Sequence, residues 1–382
     1  MAAIRNETLA RRQIGSIVAA ALALPSISSG QAIEPQRAAS VGVRWLTYHD
    51  WQPELNRIAV ESPAFHFRAP LGEAWQIEGQ LAIDSVSGAS PRYHTAISGA
   101  SKMSDVRRAS EIKVTRFEDR SSLAVALSTS DENDYRSRGI SGQSTWATED
   151  NNQTYALSLG VAVDTIRSTA NPLLHEGRRV LDVGASMTQI VSRASVAQIA
   201  ATMAYGEGHY SDPYKVPDTR PNFRRQASVI IRWNYHLEPW ATTLKSSYRR
   251  YVDSFGVQSH TVGLDVVLPA TNRVRVTPSI RLYSQSAAYF YYDPVYAYEG
   301  IPLPEGYVIS AQVPLSADQR LASFGAVTLG LKFEANLQPG LIADLKIERY
   351  EQQNRWHFLT PGSRGLAPLT ASVIQWGLTR RF

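Results

Sequence analysis

From about residue 40 onward, hydrophobic and polar residues alternate with period two, roughly a dozen residues at a time, the pattern of a strand with two unlike faces. Residues 153–164 place Tyr155, Leu157, Leu159, Val161 and Val163 on one side, with Thr154, Ala156, Ser158, Gly160, Ala162 and Asp164 on the other. Residues 73–84 set Trp75, Ile77, Leu81 and Ile83 against Gln76, Glu78, Gln80 and Asp84. Residues 273–285 oppose Val274, Val276, Ile280 and Leu282 to Arg273, Arg275, Thr277, Ser279 and Arg281. Sixteen such segments are predicted, at 41–49, 57–68, 73–84, 106–118, 121–131, 134–149, 153–164, 178–191, 195–205, 222–236, 241–252, 256–268, 273–285, 319–334, 341–352 and 369–382. The segments at 106–118 and 241–252 alternate poorly, so the count spans 14 to 18.

The connections sort into two sets. One is short, as at 69–72, 119–120, 150–152 and 192–194; the other includes long loops at 85–105, 165–177, 206–221, 286–318 and 353–368. Short turns at one end and long loops at the other predict an all-β fold, an antiparallel up-and-down barrel that crosses a membrane. Within hydrocarbon every backbone N–H and C=O needs a partner inside the protein, and a closed sheet supplies one without leaving an edge. Alternate side chains then face lipid or lumen. Trp75, Trp146 and Trp240 fall beside short turns, and Tyr48, Tyr205, Tyr251, Tyr283 and Tyr350 near the opposite strand ends, so two aromatic belts are expected.

The first 32 residues read as an export signal: Arg5, Arg11 and Arg12 precede an apolar run from Ile14 to Leu24, and Gly30-Gln31-Ala32 offers small residues for cleavage. Residues 33–40 are then a short periplasmic segment and 41–382 a single barrel domain, with short turns in the periplasm and long loops outside a cell outer membrane. The last strand ends in Phe382, with Leu378 and Trp376 on the same face. This resembles the C-terminal signal by which barrels reach their assembly machinery, although Arg380 stands where an apolar residue is usual. Composition agrees: zero Cys excludes disulfides and thiolate chemistry, and a net charge of +5 from scattered basic residues leaves no footprint for nucleic acid.

Several stretches are similar to a bacterial family, domain-of-unknown-function family 3570: 86–109, ENDYRSR at 132–138, YSDPYK at 210–215, YDPVY at 292–296, 315–332 and the C-terminus. The resemblance implies an outer-membrane location and a neighbourhood of periplasmic redox proteins, and it carries no activity.

No catalytic, cofactor or metal motif stands out. The eight His are dispersed, and His209 with Asp212 reads as a solvated loop pair before it reads as half a metal site. Inward charges are more informative. Lys332 and Glu334 should face Asp344, Lys346 and Glu348 across one hairpin; Arg273, Arg275 and Arg281 have fewer acidic partners and form a candidate basic strip, and Arg232 is a further inward candidate. The 286–318 loop carries Tyr289, Tyr291, Tyr292, Tyr296 and Tyr298 among prolines, suited to ligand stacking or to a self-packed cap. Three readings stand. The first is a porin-like, passive or weakly selective channel for small polar or anionic solutes. The second is a closed, salt-bridged barrel that serves as a scaffold for periplasmic or surface partners. The third is a membrane-embedded enzyme. Outer-membrane lipid and the assembly machinery are the expected partners, with no cofactor.

Overall fold

The computed structural model describes residues 38–53, 55–89, 102–169, 171–215, 218–293, 313–358 and 360–382, with the backbone alone for 86–89 and 102–105. The expected export signal, most of the 33–40 segment, the centre of the 85–105 loop, and Tyr296 and Tyr298 lie outside the described residues.

Alternation becomes structure as sixteen long strands and two short ones. The first half comprises β1 (Ser40–Gln52), β2 (Leu55–Leu71), β3 (Trp75–Ala89), β4 (Lys102–Glu118), β5 (Ser121–Asp131), β6 (Tyr135–Ala147), β7 (Gln153–Arg167), β8 (His175–Ser192) and β9 (Ser195–Gly208). The second half comprises β10 (Asp218–Thr219), β11 (Phe223–Leu237), β12 (Thr242–Asp253), β13 (Gln258–Pro269), β14 (Val274–Gln285), β15 (Leu315–Ser316), β16 (Phe324–Gln338), β17 (Leu341–Gln353) and β18 (Leu369–Arg381). All but β10 and β15 form one closed antiparallel barrel of sequential neighbours. The seam is β1 on β18, in register from Ser40↔Arg381 to Trp51↔Thr370, with Trp45 and Trp376 stacked at 6.4 Å between ring centroids. Closure satisfies the ladder groups that an open sheet would leave bare to lipid.

One end of the barrel carries tight turns such as Gly72–Ala74, Asp119–Arg120 and Pro339–Gly340, where Gly340 has φ of 75° that a side chain would strain. At the loop end, the connections at 132–134 and 254–257 are also tight. The rest of that end carries loops, including 209–222, 286–323 and 354–368.

Strand limits follow the alternation closely, except that β3 and β4 run on into the expected 85–105 loop, to Ala89 and from Lys102, and at one further place. The pattern places a strand at 319–334, but β16 starts at Phe324, because Gln319–Leu321 is a 3-10 turn capped by Asp318, whose carboxylate accepts the Arg320 N–H at 3.0 Å.

Outward positions are apolar and exposed, as with Leu157 and Leu159 on β7, Ile140 on β6 and Leu181 on β8. Trp75, Trp146, Trp233 and Trp240 are exposed at the turn end, as a lower aromatic girdle requires. The upper belt differs from expectation. Tyr205 is exposed, but Tyr48, Tyr251, Tyr283 and Tyr350 occupy inward positions. Their places follow from parity: Ile280 and Leu282 point outward, so Tyr283 points inward.

Candidate functional site

The lumen divides into a charged lower wall, a tyrosine collar and a cap. In the lower wall, cross-strand register sets both opposite and like charges face to face, and pairing along each strand relieves the like ones. Arg275 is opposite Glu334, which is opposite Asp344; Lys332 is opposite Lys346. Glu334 takes both Arg275 and Lys332, the latter at 3.0 Å, while Lys346 reaches Glu348 at 2.9 Å. Asp344 and Arg44 converge on the space left by Gly377 between their strands. Glu78 is shared by Arg68 (2.8 Å) and Lys113. These side chains keep contact with solvent: Arg275 is 54% exposed, Lys332 37% and Lys346 36%.

The expected basic strip is not one strip. Arg275 is neutralised by Glu334, Arg281 donates to Thr328 at 3.3 Å, and Arg273 lies in the turn before β14. Arg232 belongs to β11, separated from β14 by two strands, and donates to Gln198 at 2.8 Å. Arg275, Arg281 and Arg232 each find an acceptor on the adjoining strand.

Above the charged wall, four upward strands repeat one device. Tyr48 donates to Asp50 (2.9 Å), Tyr251 to Asp253 (2.9 Å), Tyr283 to Gln285 (2.6 Å) and Tyr350 to Gln352 (2.8 Å), each two residues further along the same face. Small neighbours make room for the rings: Ala326 lies opposite Tyr283, and Thr328 and Ala371 flank Tyr350. Buried Asp50 also meets buried Arg57 at 3.5 Å, anchoring the collar at β1 and β2.

The cap is built from loops that enter this end. Phe255, Val257, Ala288, Phe290 and Leu321 form one buried cluster, with Tyr210, Tyr251 and Tyr291 against it. Ala322, Phe324, Ala326 and Leu366 form a second, which Tyr291 also touches. Tyr210 folds over Gly206, whose missing side chain leaves the space its hydroxyl occupies, and Arg178 lies 5.0 Å over its ring. Of the loop tyrosines, Tyr289 is exposed, and the Tyr292 N–H donates to Ser316 at 2.7 Å. The described part of that loop is therefore a self-packed cap.

Two loops are fastened to each other by charge. Asp318, fully buried, receives Lys215 at 2.9 Å, Arg220 at 2.8 Å and Arg320. Asp212 receives Arg320 at 3.3 Å and Lys215 at 3.8 Å, and Asp218 binds Arg220 at 2.9 Å. Three aspartates with 0% side-chain exposure thus balance three cations, and the two-residue sheet β10–β15 runs beside them. Burial opposes the charged form of Asp318, but Arg320, Lys215 and Arg220 outweigh it and hold its carboxyl well below the usual range. Burial pushes Asp212 up and Lys215 down, each only partly offset by its partners. Asp212 is committed to cations, and among the described residues no His, Asp and Glu group is arranged to hold a metal. Tyr214 extends the fastening to a third loop, donating to Asp134 at 2.6 Å. Asp134, Asn133, Ser168, Leu174 and His175 help to line a rim cavity of about 290 Å³.

Sequence reasoning passed over Asp318, Lys215, Arg220, Arg320 and the inward tyrosines. The available signal was the pair YSDPYK and LSADQR, two short charged motifs in separate loops that the fold brings into contact.

Many solved structures share this fold. The siderophore receptor PirA from Pseudomonas aeruginosa matches with a TM-score of 0.47 and 13% identity over 89% of this chain and 62% of that one. A bacterial polysaccharide outer membrane secretin matches with a TM-score of 0.51 and 8% identity, covering 91% of this chain and 99% of its own. CdiB from Acinetobacter baumannii matches at 0.47, with 10% identity over 90% and 60%. The chain thus spans about 62% of the length of the PirA receptor, and identities this low concern the fold alone. No curated protein matches the sequence. A family model matches residues 97–175 and 167–373, most of the barrel, and the chain belongs to the family described as protein of unknown function DUF3570.

Proposed function

We propose that this barrel sits in the outer membrane, turn end in the periplasm, and is a gated conduit for small polar solutes. One observation carries the reading: a solvent-accessible, charge-lined wall lies beneath a cap whose three carboxylates are wholly buried and whose cations are mostly so. A filled, inert interior would bury Arg275, Lys332 and Lys346 as it buries Asp318. Paired charges make the wall polar without a strong net sign, which suits weak ion preference. The wall pairs also favour a second reading, a closed barrel that presents its loops or turns to a partner protein.

The test is single-channel conductance of the refolded chain in planar bilayers, alongside Asp318→Asn, with folding checked by heat-dependent gel mobility. The conduit reading expects brief, infrequent openings in the native chain and at least tenfold higher open time in the variant. Glu334→Gln, which frees Arg275 and Lys332, should shift the reversal potential in a salt gradient toward anions. Native and variant barrels that fold and both stay silent would overturn the conduit and leave the scaffold.

A further inference from the structure

The outward face of the barrel is uneven at its loop end. On β4 to β8 it carries five arginines, Arg108, Arg136, Arg138, Arg167 and Arg179, all exposed. One carboxylate on that face answers them: Asp131, opposite Arg108 and Arg136 in register, binds Arg136 at 2.9 Å and Arg138 at 3.0 Å. Glu207 on β9 bounds the patch, opposite Arg179. On the far wall the balance is even: Arg349 meets Glu351 at 3.5 Å, and Glu61 accepts from the Trp45 indole at 2.5 Å.

The height of the patch is set by the strands. Arg138 stands eight positions from Trp146 on β6, and Arg108 eight positions from Arg116, which lies over Trp75 in the lower girdle. Eight residues at ~3.3 Å each, tilted ~40°, rise about 20 Å, close to the ~25 Å apolar band of such barrels. Outward positions in between are mostly apolar, including Ile112, Ile140, Leu181 and Val183. The arginines therefore emerge where hydrocarbon ends and lipid headgroups begin. Five guanidinium groups there share two carboxylates, Asp131 and Glu207, which leaves an excess of positive charge, and their planar forks match phosphate oxygens.

We infer that the loop-end face of β4–β8 binds the phosphate groups of a membrane lipid, a phosphorylated glycolipid of the outer leaflet. The rim cavity of about 290 Å³ opens beside Arg167 and His175, which meet at 3.5 Å, and gives the sugar part of such a headgroup a place to sit. Binding on this one face orients the barrel and leaves the β16–β2 wall free of phosphate.

The refolded full chain in detergent is mixed with lipid A bearing both phosphates, or with lipid A stripped of them, and the lipid retained through gel filtration is measured. At least tenfold stronger retention of the phosphorylated form is expected, falling as salt rises. Arg136→Gln/Arg138→Gln/Arg179→Gln should abolish the preference, while Arg349→Gln on the opposite wall keeps it. Heat-dependent gel mobility shows that each variant is folded. Equal retention of both lipids by the native chain, or an unchanged preference in the triple variant, would overturn the inference. Complete displacement of lipid A by millimolar inorganic phosphate would overturn it too, by showing a site for free anions.

Discussion

Asp318 shows how much one buried charge can hold. Three cations converge on it, so removing its charge leaves three cations to two carboxylates in the cap, an expense of about 3–5 kcal/mol when a buried pair is broken one-sidedly. Asp318→Asn is expected to raise hydrogen exchange at residues 313–323 by two or more orders of magnitude while barrel strands stay protected. The double substitution Asp318→Asn/Lys215→Met restores charge balance and should recover part of that protection; additive losses would show that the two residues do not interact. The tyrosines teach a related lesson about sequence. Closeness to strand ends alone puts them in a belt, but parity carried up from Leu345 and Ile347 on β17 turns Tyr350 inward. The information was in the chain; position along the strand was weighed and side was not.

At the scale of elements, alternation was legible because each strand separates hydrocarbon from lumen, and that contrast is strongest in mid-membrane. β7 is the clearest case, so a charge on its two faces should have unlike effects. Leu157→Arg, outward in the apolar band, should cost about 2–4 kcal/mol and shift the urea midpoint of unfolding down, whereas inward Ser158→Arg should shift it far less. Equal shifts would place both residues in one environment. The cap was not legible in the same way. β10, β15 and the 3-10 turn at Gln319–Leu321 have no periodicity to betray them, and their contacts join residues about a hundred positions apart. Charged motifs flagged the loops; only the fold showed that Asp212 and Asp318 share Lys215 and Arg320.

For the whole molecule, pH is a way to read the cap separately from the barrel. Asp318 has its carboxyl depressed in the fold, so its contribution is present above the ordinary carboxylate range near ~4 and is lost as pH falls through the lower folded value. Asp212, held above its ordinary value by burial, has the opposite sign: protonating it on the way down relieves a cost. The cap should therefore lose no protease resistance as pH falls from neutral to about 5 and open only in stronger acid. Asp318→Asn should remove that acid step, with the cap cleaved at every pH. A native cap that loosens between pH 7 and 6 would contradict this account.

The fastening joins the loop between β9 and β11 to the loop between β14 and β16, while β12 and β13 fill the wall between them. Geometrically it is a chord across an arc of the rim. Any deformation that flattens the barrel into an ellipse and spreads β9 from β16 changes the arc first and must then stretch the chord. Because an ion pair pulled out of contact admits water, which screens most of its attraction, the chord gives way abruptly. Lateral pressure in the surrounding bilayer would thus be transmitted to the mouth as a threshold: below it the rim is braced, above it the brace parts.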